Sequence, residues 1–329
     1  MNANWSRRLV SAYRDTTGER HKVRLPDAKS FVVSGNDGNA HVHLLVAAVV
    51  GNMQTNAAAF ESWCLALHRW CGAKVELSWE LPDDSDNQHY QRFLFRLQWF
   101  HSLFGDNWFS YKDPHNALAW SRVLKAADGL WLNVGGSVAK VQKVRPSDVR
   151  RWSEDHWECH LARPEVRWLE DTFGLRSQAV KEQQFPVGLF TNAKPSKASA
   201  VFPGAKSAID LLALDGTGLW IFELKKSGNV GFGALSELLF YAAVMRDVAV
   251  GKFDFADPKG HTRSKISRGA IRDITEIEAV LLTPKPHPLI DGELLKMLNE
   301  ASRTRWNESA PSVNFRLHQF DPEEWSSLG

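Results

Sequence analysis

The apolar positions of the chain switch between a period of two and a period of three to four, which predicts strands interleaved with helices. In the first part, 29–33 and 41–50 are apolar enough for strands, and the turn-rich Ser34-Gly35-Asn36-Asp37-Gly38-Asn39 separates them. Met53, Ala57, Phe60, Cys64, Leu67 and Cys71 recur at helical spacing, so 53–71 is expected to be a helix. The stretch 74–81 alternates like a strand. The run Asp83-Asp84-Ser85-Asp86-Asn87 then offers N-terminal caps to a helix over 88–104. That helix carries two apolar lines: Tyr90, Phe93, Leu97, His101 and Phe104, and Phe95, Trp99 and Leu103. Burial on two sides, or a partner on one, is expected.

Further along, Pro146 and Ser147 mark a break and a helix start. Pro164 opens another helix with the stripe Val166, Leu169 and Phe173, and Gly174 stops it. The segment 180–190 reads as a strand in which Pro186 demands a bulge or an edge, and 191–200 reads as a loop. Two apolar runs, 207–214 and 219–225, flank Asp215-Gly216-Thr217-Gly218. A helix over 234–250, a strand over 278–282, a helix over 292–302 and a strand over 313–320 complete the pattern. The order α-β-β-β-α-β-α-β predicts an α/β fold, a mixed sheet with helices on both faces, preceded by a separate N-terminal α/β domain.

Composition narrows the function classes. A length of 329 residues favours two domains, expected at 1–140 and 141–329. With 43% hydrophobic and 24% charged residues the chain is not disordered. Its longest apolar run, 44–50, is far too short to span a membrane. The opening MNANWSRRLV has no apolar signal core, and three scattered cysteines make no disulfide framework, so a reducing, cytoplasmic setting is expected. A net charge of +2 excludes a uniformly basic nucleic-acid coat and leaves only local patches. The 14 tryptophans, crowded toward the first part, fit a dense aromatic core or a binding surface.

The informative segment is 207–241. Asp210 interrupts one apolar strand, and Glu223 and Lys225 interrupt the next. Burying charges is costly unless they are paired or bind a metal. Glu223 and Lys225 are two apart and so share a strand face. If Gly216-Thr217 is a two-residue loop, Asp215 pairs with Gly218 and Asp210 falls opposite Glu223. Two such carboxylates repel unless a divalent cation lies between them. Mg²⁺ or Mn²⁺ prefers carboxylate oxygens and can activate water against a phosphodiester, and a nearby ammonium can assist. Asp210 and Glu223 as ligands, with Lys225 beside them, meet those needs.

Ile209-Asp210 and Glu223-Leu224-Lys225, twelve residues apart, resemble the signature of the PD-(D/E)XK nuclease superfamily, with Ile209 in place of the leading proline. The resemblance spans roughly 147–320 in element order and is specific over 207–241. It implies a restriction-endonuclease-like core with the acid and the ExK tripeptide on consecutive strands. It further implies a metal-dependent nuclease, endonucleolytic and acting on DNA ahead of RNA, with a role in anti-phage defence. Leu224 would offer its carbonyl to the metal. Glu165, or else Glu170, would supply a supporting acid from the helix before the sheet. Glu237 and Tyr241, one turn apart, are similar to the QxxxY signature of RecB-like members, with Glu for Gln.

Other features carry less. Lys226, Arg263, Lys265 and Arg268, and Lys143 and Arg145 further upstream, are candidates for phosphate contact. His156, Cys159 and His160 have zinc-ligand types but no second pair at matching spacing. No phosphate-cradling glycine motif is present. Two other readings stay open: a silent nucleic-acid- or protein-binding module on the same fold, and a nuclease subunit that needs a partner, recruited by the N-terminal domain. Assembly into a homo-oligomer is also open.

Overall fold

The computed structural model describes residues 2–21, 23–105, 107–125, 129–132, 151–203, 207–226, 231–255, 265–306 and 311–325, with Lys125, Phe255 and Arg268 described in backbone only. The described chain is mixed α/β, with open mixed sheets flanked by helices. It divides into two compact units. The first takes 1–127, 231–237 and 287–301, and the second takes the remainder. The expected boundary near 140 lies outside the described residues. None of the described helices is long and apolar enough to cross a membrane.

The first unit contains α1 (Asn2–Thr17), β1 (Phe31–Asn36), β2 (Asn39–Leu44), α2 (Val46–Val49), α3 (Phe60–Cys71), β3 (Lys74–Trp79), α4 (Gln88–Phe104), β4 (Phe109–Tyr111) and α5 (Arg122–Lys125). Its sheet runs β1-β2-β3-β4, antiparallel at the first pair and parallel thereafter. Ala40, Val42 and Leu44 alternate with Val75, Leu77 and Trp79 on the buried face. The strand expected over 41–50 ends at Leu44, because Val46–Val49 close a helical turn. The helix expected from 53 begins only at Phe60. By contrast α4 has the expected limits, capped by the Asn87 side chain on the amides of His89 and Tyr90.

Two-sided burial of α4 also takes in charged groups. Arg96, 4% exposed, donates from Nε to Glu61 at 2.7 Å and from Nη2 to the Ala58 carbonyl at 2.9 Å. A second Nη2 contact makes the Glu61 pairing bidentate. Such a pair contributes little net stability over apolar residues, but losing one member leaves a buried charge.

The second unit contains β5 (Leu130–Leu132), α6 (Glu154–Leu161), α7 (Trp168–Phe173), β6 (Val180–Pro186), β7 (Leu189–Phe190), β8 (Ala208–Asp215), β9 (Gly218–Leu224), β10 (Phe253–Phe255), α9 (Arg268–Arg272), β11 (Glu276–Thr283) and β12 (Ser312–Gln319). The division into units cuts through α8 (Gly233–Ala249) and α10 (Gly292–Trp306). The main sheet has the order β12-β11-β9-β8-β6. β8 runs antiparallel to both of its neighbours, β6 and β9, while β9, β11 and β12 run parallel. Parallel neighbours need crossovers, which α8 and α10 provide in sequence. One face, with Leu211, Ala213, Phe222, Leu224, Val280 and Leu282, packs on Trp157, Leu161, Trp168, Phe320 and Trp325. As Pro186 implied, β6 is an edge strand.

Arg96→Ala is expected to cost about 3–5 kcal/mol in urea unfolding, because Glu61 is left buried and unpaired. The double variant Glu61→Leu/Arg96→Met should recover most of that loss. A double variant no better than Arg96→Ala would refute the argument.

Candidate active site

β8 and β9 are joined by the two-residue turn Gly216-Thr217, with Asp215 paired to Gly218 and Leu211 to Phe222. One more step of that register sets Asp210 opposite Glu223, on the sheet face away from Leu211 and Phe222. Gly216 has a φ of +61°, and a Cβ there would strike the Arg176 guanidinium. Arg176 fixes the turn by donating its amide at 3.0 Å and Nε at 2.5 Å to the Asp215 carboxylate. A one-residue slip would throw one acid to the other face.

The paired ladder of the hairpin ends at Leu211 and Phe222. Just beyond, Oδ2 of Asp210 accepts the Leu224 amide at 2.8 Å. Glu223 is 1% exposed, and its Oε1 accepts from Lys225 Nζ at 2.5 Å. Asp210, Glu223, Leu224 and Lys225 therefore meet at the open end of the hairpin. The Lys226 amide donates to Glu154 Oε1 at 2.8 Å, which ties this end to the start of α6.

Two residues that the sequence reading did not single out complete the group. Glu158, on α6, is 2% exposed and accepts from Gln184 Nε2 at 2.6 Å and Gln183 Nε2 at 3.5 Å. The same Gln184 nitrogen lies 3.5 Å from Asp210 Oδ1. Burial, and after it the charge of Asp210, pushes the Glu158 carboxyl up to about 8. The chain carried only an indirect signal for Glu158. Trp157 and Leu161 are i, i+4 partners on a buried stripe that Glu158 adjoins.

The structure sets Glu158 beside Asp210 and does not bring Glu165 there. Glu165 is exposed in a turn closed by the Val166 amide on the Arg163 carbonyl, and α7 starts only at Trp168. The alternative, Glu170, is buried but pairs with Lys181 at 3.1 Å, and Lys181 Nζ also donates to the Val166 carbonyl at 2.7 Å. That arrangement clamps α7 to β6. Glu237 and Tyr241 are buried one turn apart on α8; Glu237 accepts from Gln54 Nε2 at 3.4 Å, and the Tyr241 ring packs on Phe240. His156 Nδ1 closes the capping box of α6 with Ser153, a structural task that accounts for one of the zinc-type ligands.

Of the phosphate-contact candidates, Lys143, Arg145 and Arg263 lie outside the described residues. Lys265 is exposed, and its amide donates to Glu182 on β6 at 3.1 Å. Arg268 begins α9. The neighbouring Arg272 and Lys252 pair with Asp254 and Asp247 at 2.9 Å and 3.0 Å.

Among the described residues, no three His, Cys, Asp or Glu side chains form a ready-made metal cage. The donor set at the hairpin end is nonetheless all carboxylate oxygen, which suits a hard divalent cation. Asp210 also raises the Glu158 carboxyl by like-charge repulsion, which a cation between them would reverse. Comparison with known proteins finds no counterpart: no protein-family model, no curated protein and no solved structure matches the chain.

A raised carboxyl holds its proton in the folded state after the unfolded chain has lost it. Metal-free protein should therefore lose stability as pH rises from about 4.5 to about 8. Glu158→Gln should flatten that decline by roughly 3–5 kcal/mol, read from urea unfolding in EDTA at several pH values. An identical decline in the variant would show that Glu158 is not the group responsible.

Proposed function

We propose that this chain is a metal-dependent nuclease of the PD-(D/E)XK type that hydrolyses phosphodiester bonds of nucleic acid, DNA ahead of RNA. The observation that carries the reading is the gathering of Asp210, Glu223 and Lys225 at the open end of one largely apolar hairpin, with Glu158 of α6 beside Asp210. The element order supports it. The acid and the ExK tripeptide occupy adjacent antiparallel strands, β8 and β9, and α8 leads from them to the parallel β11. A restriction-endonuclease-like core has that succession, with α6 and α7 before it.

In this reading Asp210 and Glu223 would hold Mg²⁺ or Mn²⁺ with help from the Leu224 carbonyl, and Glu158 would support Asp210 through their shared partner Gln184. The cation, when bound, would lower the pKa of a water and neutralise charge on the phosphoryl oxygens. The Leu224 amide keeps the Asp210 carboxylate turned to the strand end. Lys225 is the ammonium nearest these acids and is placed to orient the attacking water or stabilise the added negative charge. Water oxygen bonds to phosphorus, the ester bond to the leaving oxygen breaks, and that oxygen takes a proton. Lys226 and Lys265 would meet the backbone phosphates. An endonuclease of anti-phage defence is the setting that the resemblance favours.

A specific observation favours a second reading, a binding module that does not cleave. Lys225 pairs with Glu223, and the Leu224 amide donates to Asp210, so each acid has a partner within the hairpin that serves a structural role as well as a catalytic one. One assay separates the two. Full-length protein would be incubated with supercoiled plasmid, linear duplex, single-stranded DNA and RNA, with Mg²⁺, Mn²⁺ or EDTA. The nuclease reading predicts metal-dependent cutting that falls at least roughly 10²-fold in Asp210→Ala and in Lys225→Ala. Both variants should keep their far-ultraviolet spectra and bind nucleic acid. Binding by the wild type with no cutting of any substrate would favour the silent module.

A further inference from the structure

Gln184 is the described strand residue whose backbone breaks the local rule. Its φ is +52°, a left-handed conformation that side chains other than Gly, Asn and Asp rarely adopt. The distortion does not shift the strand. Gln183 pairs with Leu211 and Phe185 with Ile209, so Gln184 stands across from Asp210 in an unbroken register, with only its own pairing lost. β6 tolerates this because it is an edge, with no outer neighbour to disturb.

Conformation alone would choose Gly or Asn at such a position. Glutamine has a reason only through its length. Its Nε2 reaches Glu158 on α6 at 2.6 Å and Asp210 on β8 at 3.5 Å. It is a neutral donor between two acids that repel each other. A lysine there would neutralise them and compete with a cation. A carboxylate would add to the repulsion.

We infer that Gln184 is a positioning residue, held in a strained backbone so that its carboxamide orients the Glu158 and Asp210 carboxylates for a divalent cation. It acts through those acids and need not touch substrate. The inference rests on the cation-site reading above. Strain of this kind persists where the surroundings over-determine it, and it gathers at functional sites. Two substitutions isolate the role. Gln184→Gly relieves the backbone and removes the amide. Gln184→Asn keeps a residue that tolerates the left-handed region but withdraws the amide by one methylene.

The test is calorimetric titration of Mn²⁺ into full-length wild type, Gln184→Gly, Gln184→Asn and Asp210→Ala, with melting temperatures measured in EDTA. Loss of a partner that orients a metal ligand typically weakens metal binding about 10–100-fold. Both Gln184 variants should show that loss, while melting no lower than roughly 3 °C below wild type, since backbone relief offsets the lost hydrogen bond. If Asp210→Ala loses Mn²⁺ but the Gln184 variants keep wild-type affinity, the cation site stands and this inference is overturned. Variants that melt far below wild type yet bind Mn²⁺ normally when folded would also overturn it, making Gln184 structural only. If wild type takes up no Mn²⁺, or Asp210→Ala binds it as tightly as wild type, the cation-site reading fails and the inference fails with it.

Discussion

The register of one hairpin is the constraint on which the second unit depends. A two-residue turn at Gly216-Thr217 sets Asp210 opposite Glu223, and each residue of slip would move one carboxylate to the other face. The surroundings hold that register from several sides. Arg176 grips Asp215 at the turn, Leu224 donates its amide to Asp210 at the open end, and β11 pairs with β9 along its length. Apolar packing of Leu211, Ala213, Phe222 and Leu224 against the tryptophan-rich helices fixes which face each residue takes.

The molecule buries acids in two different ways. Glu61 meets Arg96, and Glu170 meets Lys181, each acid matched to a base within hydrogen-bond reach. Such pairs need no ligand. Glu158 is held by the amides of Gln183 and Gln184, which favour its charged form, but burial and then the charge of Asp210 outweigh them and push its carboxyl up to about 8. Neutral donors orient this acid without neutralising it, unlike the bases that meet Glu61 and Glu170. The conformation of Gln184 belongs to the same economy, with local backbone regularity given up for the reach of one amide.

Much of this was legible in the chain because it rests on short-range rules. The apolar runs of β8 and β9, the glycine in their turn and the limits of α4 follow from period and turn chemistry. The side on which Asp210 and Glu223 fall followed from counting residues across that turn. Less was legible where tertiary packing decides. Residues 53–59 have helical spacing but do not enter α3, and Val46–Val49 turn helical although the run is apolar and both of its ends are β-branched. The amphipathic α1 had no turn signal before it. Glu158 was missed because its role depends on where α6 lands on the sheet, which no local pattern states. Glu165 was favoured because Pro164 predicted a helix start there and the resemblance implies a supporting acid on that helix. Here the chain makes one more turn before α7 begins.

The most direct test of the account is a crystal of the full-length protein soaked in MnCl₂, with anomalous diffraction recorded above the manganese edge. The account predicts an anomalous peak within coordination distance of the Asp210 and Glu223 carboxylates, lost in crystals of Asp210→Ala. A fully soaked wild-type crystal with no peak there, and Lys225 still seated on Glu223, would contradict it.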